Sequence, residues 1–283
     1  MVTIIERAPA KINLGLDIQG KRSDGYHDLS MVMVSIDLCD YVTVDHLDED
    51  RIVFSSNCPK MPTNHNNNVY KAAQLMKDRF QIKTGVSLFL EKRIPVCAGM
   101  GGGSSDAAAT IRALNQLWHL DLSQKDMIEI GMQIGSDVPY CLVAGCAQVT
   151  GKGEVVSQLA GQLSSWVVLV KPEFGISTRT VFSDINCDTI SRVSIANLVA
   201  AIEAGDYNGI LAEMGNSLED ISIAKHPFIQ KIKDKMIQSG ADIALMTGSG
   251  PTVFALCQTE TQVNRVVNSL KGFCKEVYKV RTL

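Results

Sequence analysis

Pro95-Val96-Cys97-Ala98-Gly99-Met100-Gly101-Gly102-Gly103-Ser104-Ser105-Asp106 holds the strongest local signal in this chain. Four glycines fall in the five positions from 99 to 103, where 22 glycines in 283 residues would put about 0.4. Without a Cβ, successive backbone N–H groups can converge on one point, and a helix beginning just beyond adds its own unpaired N–H groups and dipole. That combination holds phosphate oxygens without a cluster of cations. The bland alternative is a flexible loop or a tight turn. Among phosphate loops, Walker A is excluded because Gly103 is followed by Ser104-Ser105-Asp106 rather than Lys-Ser/Thr, and the dinucleotide fingerprint wants glycine where Ser104 stands. Protein kinases are excluded by the absence of HRD and DFG, and a serine-hydrolase elbow by Asp106 in place of glycine.

Working outward, Ala107, Ile111, Leu114 and Trp118 recur at helical spacing, so a helix is expected to start at the serine pair. A second is expected from Ser123 with Asp126, carrying Met127, Ile130 and Ile134 inward and stopping at Gly135. Upstream, one helix from about Val69 to Phe80 interrupts β-like runs at Val2 to Ile5, Ile12 to Ile18, Met31 to Leu38, Tyr41 to Asp45, Arg51 to Phe54 and Val86 to Leu90. Gly20, Asp24-Gly25, Asp48 to Asp50 and Asn64 to Asn68 punctuate them as turns. Downstream, a strand from Trp166 to Val170 ends at Lys171-Pro172, which reads as a domain boundary. Beyond it, Ser194 to Ala204, Tyr207 to Met214 and Pro227 to Ser239 read as helices, and Ile243 to Met246, Thr252 to Leu256 and Phe273 to Val280 as strands. This order of elements predicts an α+β protein with two lobes.

Composition narrows the class further. Charged residues make up 20% and hydrophobic ones 46%, a globular balance that excludes a mainly disordered or coiled-coil chain. With 27 Lys+Arg against 30 Asp+Glu the net charge is -3, which argues against nucleic acid as partner. The eight cysteines are scattered, with no CxxC pair, and read as reduced thiols rather than metal ligands. Residues 1 to 11 lack the pattern of a secretory signal, and no apolar run approaches ~18 residues, so a soluble cytoplasmic protein with no membrane partner is expected.

Three further segments carry polar groups where chemistry could use them. In Ala8-Pro9-Ala10-Lys11-Ile12-Asn13-Leu14, Lys11 and Asn13 alternate with apolar residues and would share one face of a strand. Taken by itself, Lys11 is a solvated edge residue; the following Asp24-Gly25-Tyr26-His27 is by itself a turn and a strand start. Thr247-Gly248-Ser249-Gly250-Pro251-Thr252-Val253-Phe254 is a second small-residue loop leading into an apolar strand. In Gly135-Ser136-Asp137-Val138-Pro139, the proline fits the first turn of a helix, with Asp137 at or just before its start.

Together the segments resemble the three motifs of the GHMP kinases, ATP-dependent small-molecule kinases. Motif one is similar to Pro9-Ala10-Lys11-Ile12-Asn13-Leu14, motif two to Pro95 to Ala109, and motif three to Thr247 to Leu256. The resemblance covers essentially the whole chain. It implies a two-lobed α+β fold, with an N-terminal lobe (1–163) of the ribosomal protein S5 domain 2-like type and a C-terminal ferredoxin-like α/β-plait lobe (164–283). Within the family, Asp24-Gly25-Tyr26-His27, the triple glycine and Gly135 to Pro139 imply transfer of phosphate from ATP to the 2-hydroxyl of a cytidine diphosphate-linked methylerythritol, a step of non-mevalonate isoprenoid precursor biosynthesis.

The resemblance also implies roles. Asp137 would be the catalytic base and Lys11 its charged partner. Asn13 would lie near the substrate diphosphate, Tyr26 and His27 would meet the cytosine, and Phe182 would close the other side of the ring. Pro95, Val96, Cys97, Ala98, Gly99, Met100, Gly101, Gly102, Gly103, Ser104 and Ser105 would wrap the ATP phosphates, with Ser104 or Ser105 beside Mg2+. Asn67 is the candidate for the adenosine end, and the flanking Asn66 and Asn68 permit a shift. Cys97 and Met100 depart from the smaller or aliphatic residues usual in the loop, and Gln148-Val149 interrupts the small residues from Gly145 to Gly153. Alternatives are a GHMP kinase acting on mevalonate, phosphomevalonate or homoserine, and a non-catalytic relative. A monomer or homodimer is expected.

Overall fold

A computed structural model describes residues 3–283, so the Val2 start of the first expected strand lies outside the described residues. The elements follow in the order β1 (Thr3–Lys21), β2 (His27–Leu47), β3 (Ile52–Ser56), α1 (Asn68–Arg79), β4 (Gly85–Glu91), α2 (Gly102–Leu117), α3 (Gln124–Met132) and α4 (Val138–Val143). Then come β5 (Cys146–Gly151), β6 (Val155–Gln158), β7 (Trp166–Lys171), α5 (Thr178–Ser183), α6 (Ile195–Glu203), α7 (Tyr207–Glu213) and β8 (Gly215–Asn216). The chain closes with α8 (Glu219–Lys225), α9 (Phe228–Gln238), β9 (Ile243–Met246), β10 (Val253–Cys257), α10 (Glu260–Leu270) and β11 (Glu276–Arg281).

Two compact units divide these residues. The first comprises 3–10, Leu38–Val96 and Gly101–Ala144. Within it β3 runs parallel to β4, and β4 runs antiparallel to the second half of β2, from Tyr41↔Glu91 to Leu47↔Gly85. The helix α2 is buried almost all round, from Ser105 to Leu114 with only Arg112 excepted. A helix buried on nearly every side belongs in a core; Ala107-Ala108-Ala109 leave room for its neighbours α1 and α4, and Ser105, Asp106 and Thr110 are the polar residues buried with them. The capping box of Ser123 with Asp126 starts α3 as the sequence predicts, although the helix ends at Met132, before Gly135.

The second unit comprises Lys11–Asp37, Cys97–Met100 and Gly145–Leu283. Here the first half of β2 pairs antiparallel with β5, from Leu29↔Gly151 to Val34↔Cys146, and β5 turns back into β6. On β1, Gly15 and Leu16 pair parallel with β8. A separate antiparallel sheet runs in the order β11-β7-β10-β9. Its middle strands are apolar throughout, with Val167 to Val170 and all of β10 buried. Amphipathic helices cover it: Ile229, Ile232 and Met236 turn inward from α9, and Val263, Val266 and Leu270 from α10. All eight cysteines are free thiols. Among the described residues no helix is long and apolar enough to cross a membrane.

Candidate active site

Lys11 and Asn13 leave β1 on the same face because side chains alternate along a strand. Lys11 is 4% exposed and Asn13 1%, so Lys11 is no solvated edge residue. Its Nζ donates to Asn13 Oδ1 at 2.7 Å. The Asn13 amide N–H donates to Thr247 Oγ1 at 3.1 Å, and the Thr247 hydroxyl donates back to Asn13 Oδ1 at 3.3 Å. A residue early in the chain is thus held by one 234 positions later. Asn216, on β8, donates to the carbonyls of Met246 and Gly248, both at 2.8 Å, and so fixes the loop that carries Thr247. Nothing in the sequence motifs pointed to Asn216.

The glycine loop joins this cluster through its backbone. The Lys11 N–H donates to the Met100 carbonyl at 3.0 Å. A Cβ on Gly99 would stand 2.7 Å from the Thr247 oxygen and 3.0 Å from that of Gly250. A Cβ on Gly248 would stand 3.1 Å from the Gly99 oxygen and 3.7 Å from both Lys11 Nζ and Asn13 Oδ1. Both glycines have positive φ, +73° and +58°. Residues from all three sequence motifs therefore meet in the second unit, at a distance only glycine permits. Of the two departures in the loop, Met100 is buried and Cys97 is exposed with a φ of 55°.

Beyond Met100 the loop enters the first unit. The helix α2 begins at Gly102, two residues before the expected serine pair, because Gly101 takes a left-handed conformation as N-cap and its carbonyl already accepts from Ser104 and Ser105 at 3.0 and 2.9 Å. Ser105 is buried and its Oγ has no protein partner. A buried hydroxyl at a helix start suits a phosphate oxygen or a hard cation. Among the described residues no three His, Cys, Asp or Glu side chains cluster to hold a metal. The residues present therefore fit Mg2+ only as an ion that arrives with nucleotide phosphates, Ser105 rather than exposed carboxylates facing it. On α1, Asn67 caps the helix by accepting from Val69 N at 2.9 Å and donates to Pro62 O at 3.1 Å. Its neighbour Asn68 reaches the Gly103 carbonyl at 3.3 Å. Asp137 is the N-cap of α4, followed by Pro139 in the first turn, and is half-buried.

One cluster under the loop went unread in the sequence. The Lys92 ammonium, 6% exposed, donates to Asp40 and, at 3.1 Å, to Asp106 on α2. Asp40 also accepts the N–H groups of Arg93 and Ile94, at 2.5 and 2.8 Å. Burial pushes the Asp106 carboxyl well above its usual range; the Lys92 charge opposes this and Asp40 adds to it. Burial pulls Lys92 down, but the charges of Asp106 and Asp40 outweigh it and leave the lysine raised. A Cβ on Gly102 would lie 2.8 Å from Lys92 Nζ, so the ammonium fills the space beneath the loop. The sequence carried one signal, Asp40 between the β-like runs Met31 to Leu38 and Tyr41 to Asp45; once the two runs join as one strand the carboxylate is buried and needs a cation to pair with it.

At the start of β2, His27 packs on Phe182 of α5, ring centroids 5.7 Å apart and tilted by 50°. Burial, with the nearby Lys21 charge, lowers the His27 pKa, which keeps the ring neutral at pH 7. Tyr26 is 63% exposed. The structure thus places His27 beside Phe182, and Lys11 beside Asn13, Gly99 and Met100, within the second unit. Asn67, Gly101 to Ser105 and Asp137 belong to the first.

Comparison with known proteins gives concordant results. The family model for the GHMP kinases N terminal domain matches residues 67–145, and that for the GHMP kinases C terminal domain matches 198–276. A protein of Streptococcus equi subsp. zooepidemicus with the provisional name 4-diphosphocytidyl-2-C-methyl-D-erythritol kinase is 81% identical over 283 residues, all of both chains. A crystal structure of 4-(cytidine 5'-diphospho)-2C-methyl-D-erythritol kinase superposes with a TM-score of 0.85 at 28% identity, covering 99% of each chain. Homoserine kinase from Cytophaga hutchinsonii shares the fold, with a TM-score of 0.80 at 20% identity over 98% of this chain and 94% of that one. With both family models matched in order and full-length relatives this similar, the chain belongs to the GHMP kinases and is a small-molecule kinase that uses ATP as phosphoryl donor.

Proposed function

We propose that the chain transfers the γ-phosphoryl group of ATP to the 2-hydroxyl of 4-diphosphocytidyl-2-C-methyl-D-erythritol. The observation that carries this reading is the meeting of Lys11, Asn13, Gly99 and Gly248 in one unit that also holds the aromatic group of Tyr26, His27 and Phe182. The first set suits a transferring phosphoryl group, and the second suits a pyrimidine. The names of the full-length relatives support the same substrate. The division into parts 1–163 and 164–283 is proposed with it, one family model lying in each.

In this mechanism the 2-hydroxyl oxygen attacks the γ-phosphorus, the bond to the bridging β–γ oxygen breaks, and ADP leaves. Asp137 takes the hydroxyl proton. Lys11 stabilises the negative charge that develops, and its bond to Asn13 fixes the ammonium in place. Residues Pro95 to Ser105 hold the phosphates through backbone N–H groups, and Asn67 with its neighbours stands at the adenosine end. Mg2+, bound with the nucleotide near Ser104 or Ser105, would neutralise phosphate charge. Tyr26 and Phe182 stack on the cytosine while neutral His27 offers one donor and one acceptor to its edge.

The test is a coupled ADP-release assay run in parallel with the cytidyl substrate, mevalonate and homoserine, with Asp137→Ala as blank. ADP release with the cytidyl substrate alone is expected. Release with mevalonate or homoserine instead, or with none of the three, overturns the substrate assignment.

A further inference from the structure

Side chains from the short segment 216–219 grip the backbone of the loop behind Lys11. β9 is the last strand of its sheet, so the N–H and C=O groups on its open side need partners from elsewhere. Asn216 donates its amide N–H groups to the carbonyls of Met246 and Gly248, and its own oxygen accepts the Leu218 N–H at 2.9 Å. With that oxygen taken, the amide has one orientation, and both donors stay aimed at the loop. Glu219, first residue of α8, accepts the Met246 N–H at 2.7 Å through one carboxylate oxygen, while the other pairs with Lys233 of α9. Met246, the last residue of β9, thus has both its N–H and its C=O bound by this segment. Asn216 and Glu219 are both buried.

The segment is itself fixed to the strand that carries Lys11. Gly215 and Asn216 pair with Gly15 and Leu16 of β1, and the Ser217 N–H donates to the Leu16 carbonyl at 2.9 Å. The Ser217 hydroxyl donates to the buried Asp17 carboxylate at 3.1 Å. From Thr247 the hydrogen bonds return to Asn13, two residues from Lys11 and bonded to its ammonium. Strand β1, the 216–219 segment and the 246–248 loop therefore close a ring, and the Lys11–Asn13 pair is held where the ring closes. A misplacement of about 1 Å at a reacting group can cost ~10²-fold in rate, so the members of such a ring matter to the chemistry from a distance.

We propose that Asn216 and Glu219 are positioning residues for phosphoryl transfer. They act through the loop: by holding Met246 and Gly248 they press Thr247 against Asn13, and Asn13 fixes the Lys11 ammonium. Their role rests on the reading of Lys11 as the group that stabilises the developing charge, and it assigns the placing of that group to two residues outside the three kinase motifs. It does not depend on which acceptor the enzyme phosphorylates.

The experiment measures ADP release by the full chain with the acceptor that the wild type phosphorylates, and amide hydrogen exchange alongside. Asn216→Ala is expected to lower kcat by about 10–100-fold while KM for the acceptor stays within about twofold. Glu219→Ala should lose a similar amount, and Glu219→Gln, which keeps an oxygen for the Met246 N–H, should restore most of it; this pair carries the test if Asn216→Ala does not fold. In a Thr247→Val background the further loss from either alanine variant should be under about threefold, because the route to Asn13 is already cut. Exchange of the Asn13 amide should quicken about tenfold or more in both alanine variants relative to the amides of β10. Unchanged kcat, a loss that Thr247→Val leaves fully multiplicative, or Asn13 exchange that rises only in step with β10 each overturns the proposal. Normal turnover by Lys11→Ala overturns the reading of Lys11 and the positioning role with it, whereas a slow Lys11→Ala beside normal Asn216→Ala and Glu219→Ala overturns the positioning role alone.

Discussion

Lys92 is the residue whose removal tests the packing beneath the nucleotide loop most directly. Its ammonium is buried between Asp40 and Asp106. Lys92→Met keeps the length of the side chain and removes the charge, leaving two buried carboxyl groups with one proton donor fewer each. Breaking a buried pair in this way costs about 3–5 kcal/mol. The lower end applies here, since Asp40 keeps the N–H groups of Arg93 and Ile94. At about 2.1 cal/mol/K of unfolding entropy per residue, a 283-residue chain loses roughly 0.6 kcal/mol per degree, so about 3 kcal/mol lowers Tm by ~5 °C. Thermal melts followed by far-UV circular dichroism at pH 7 measure it. A shift below about 2 °C refutes the view that the lysine holds these carboxyl groups in the core.

The same cluster gives a pH prediction with a definite sign. Asp106 has its pKa raised in the fold by burial, so the folded state binds its proton more tightly than the unfolded chain does. The stability this provides is present at low pH and is lost as pH rises from the ordinary carboxyl value through the raised one. Asp106→Asn removes the titration. Its stability should therefore fall less than that of the wild type as pH is taken upward from 4, measured by urea midpoints at several pH values; parallel curves for the two proteins contradict the assignment.

Other predictions follow from the site. Asp137→Ala should lower kcat by about 10²–10⁴-fold with little change in KM, as expected for loss of a positioned base, and near-normal turnover would remove Asp137 from the mechanism. Tyr26→Ala should raise KM for the cytidyl substrate by the equivalent of ~1–3 kcal/mol of stacking while KM for ATP stays constant; equal loss for both substrates counts against the stacking role. Gly99→Ala places a Cβ 2.7 Å from the Thr247 oxygen at a φ of +73°, so it should cost at least ~1–2 kcal/mol in stability and raise KM for ATP, read by melts and steady-state kinetics. Unchanged values for both would mean the loops yield freely.

Local patterns were legible in the sequence where local chemistry sets the structure. The capping box at Ser123, the proline in the first turn of α4, the turn at Asp24-Gly25 and the apolar runs of β9 and β10 stand where their residue types predict. Long-range compensation was not legible. The runs Met31 to Leu38 and Tyr41 to Asp45 form one strand, β2, because Asp40 finds Lys92 on the far side of β4 in the sequence and so can be buried mid-strand. Likewise the described part of the first expected run, Thr3 to Ile5, and the run Ile12 to Ile18 lie along a single strand, with Pro9 inside it. The helix α10 carried a readable signal, Thr259 with Gln262 as a capping box, that the surrounding strands obscured. At the site, the motif residues were visible, whereas Asn216 and the Lys92 cluster were not, since each acts through a partner remote in sequence.

The hydrogen bonds between Asn13 and Thr247 span 234 positions. A ribosome adding about 5–20 residues per second needs on the order of 10–50 s to travel that far. For the last ~145 residues of that stretch the nascent chain already carries both Lys11 and the glycine loop, yet lacks the threonine and the Gly248 backbone that close around them. The cluster is therefore acquired only once Thr247 and Gly248 have been made, and chains abandoned before residue 247 are born without it rather than with a weakened version of it.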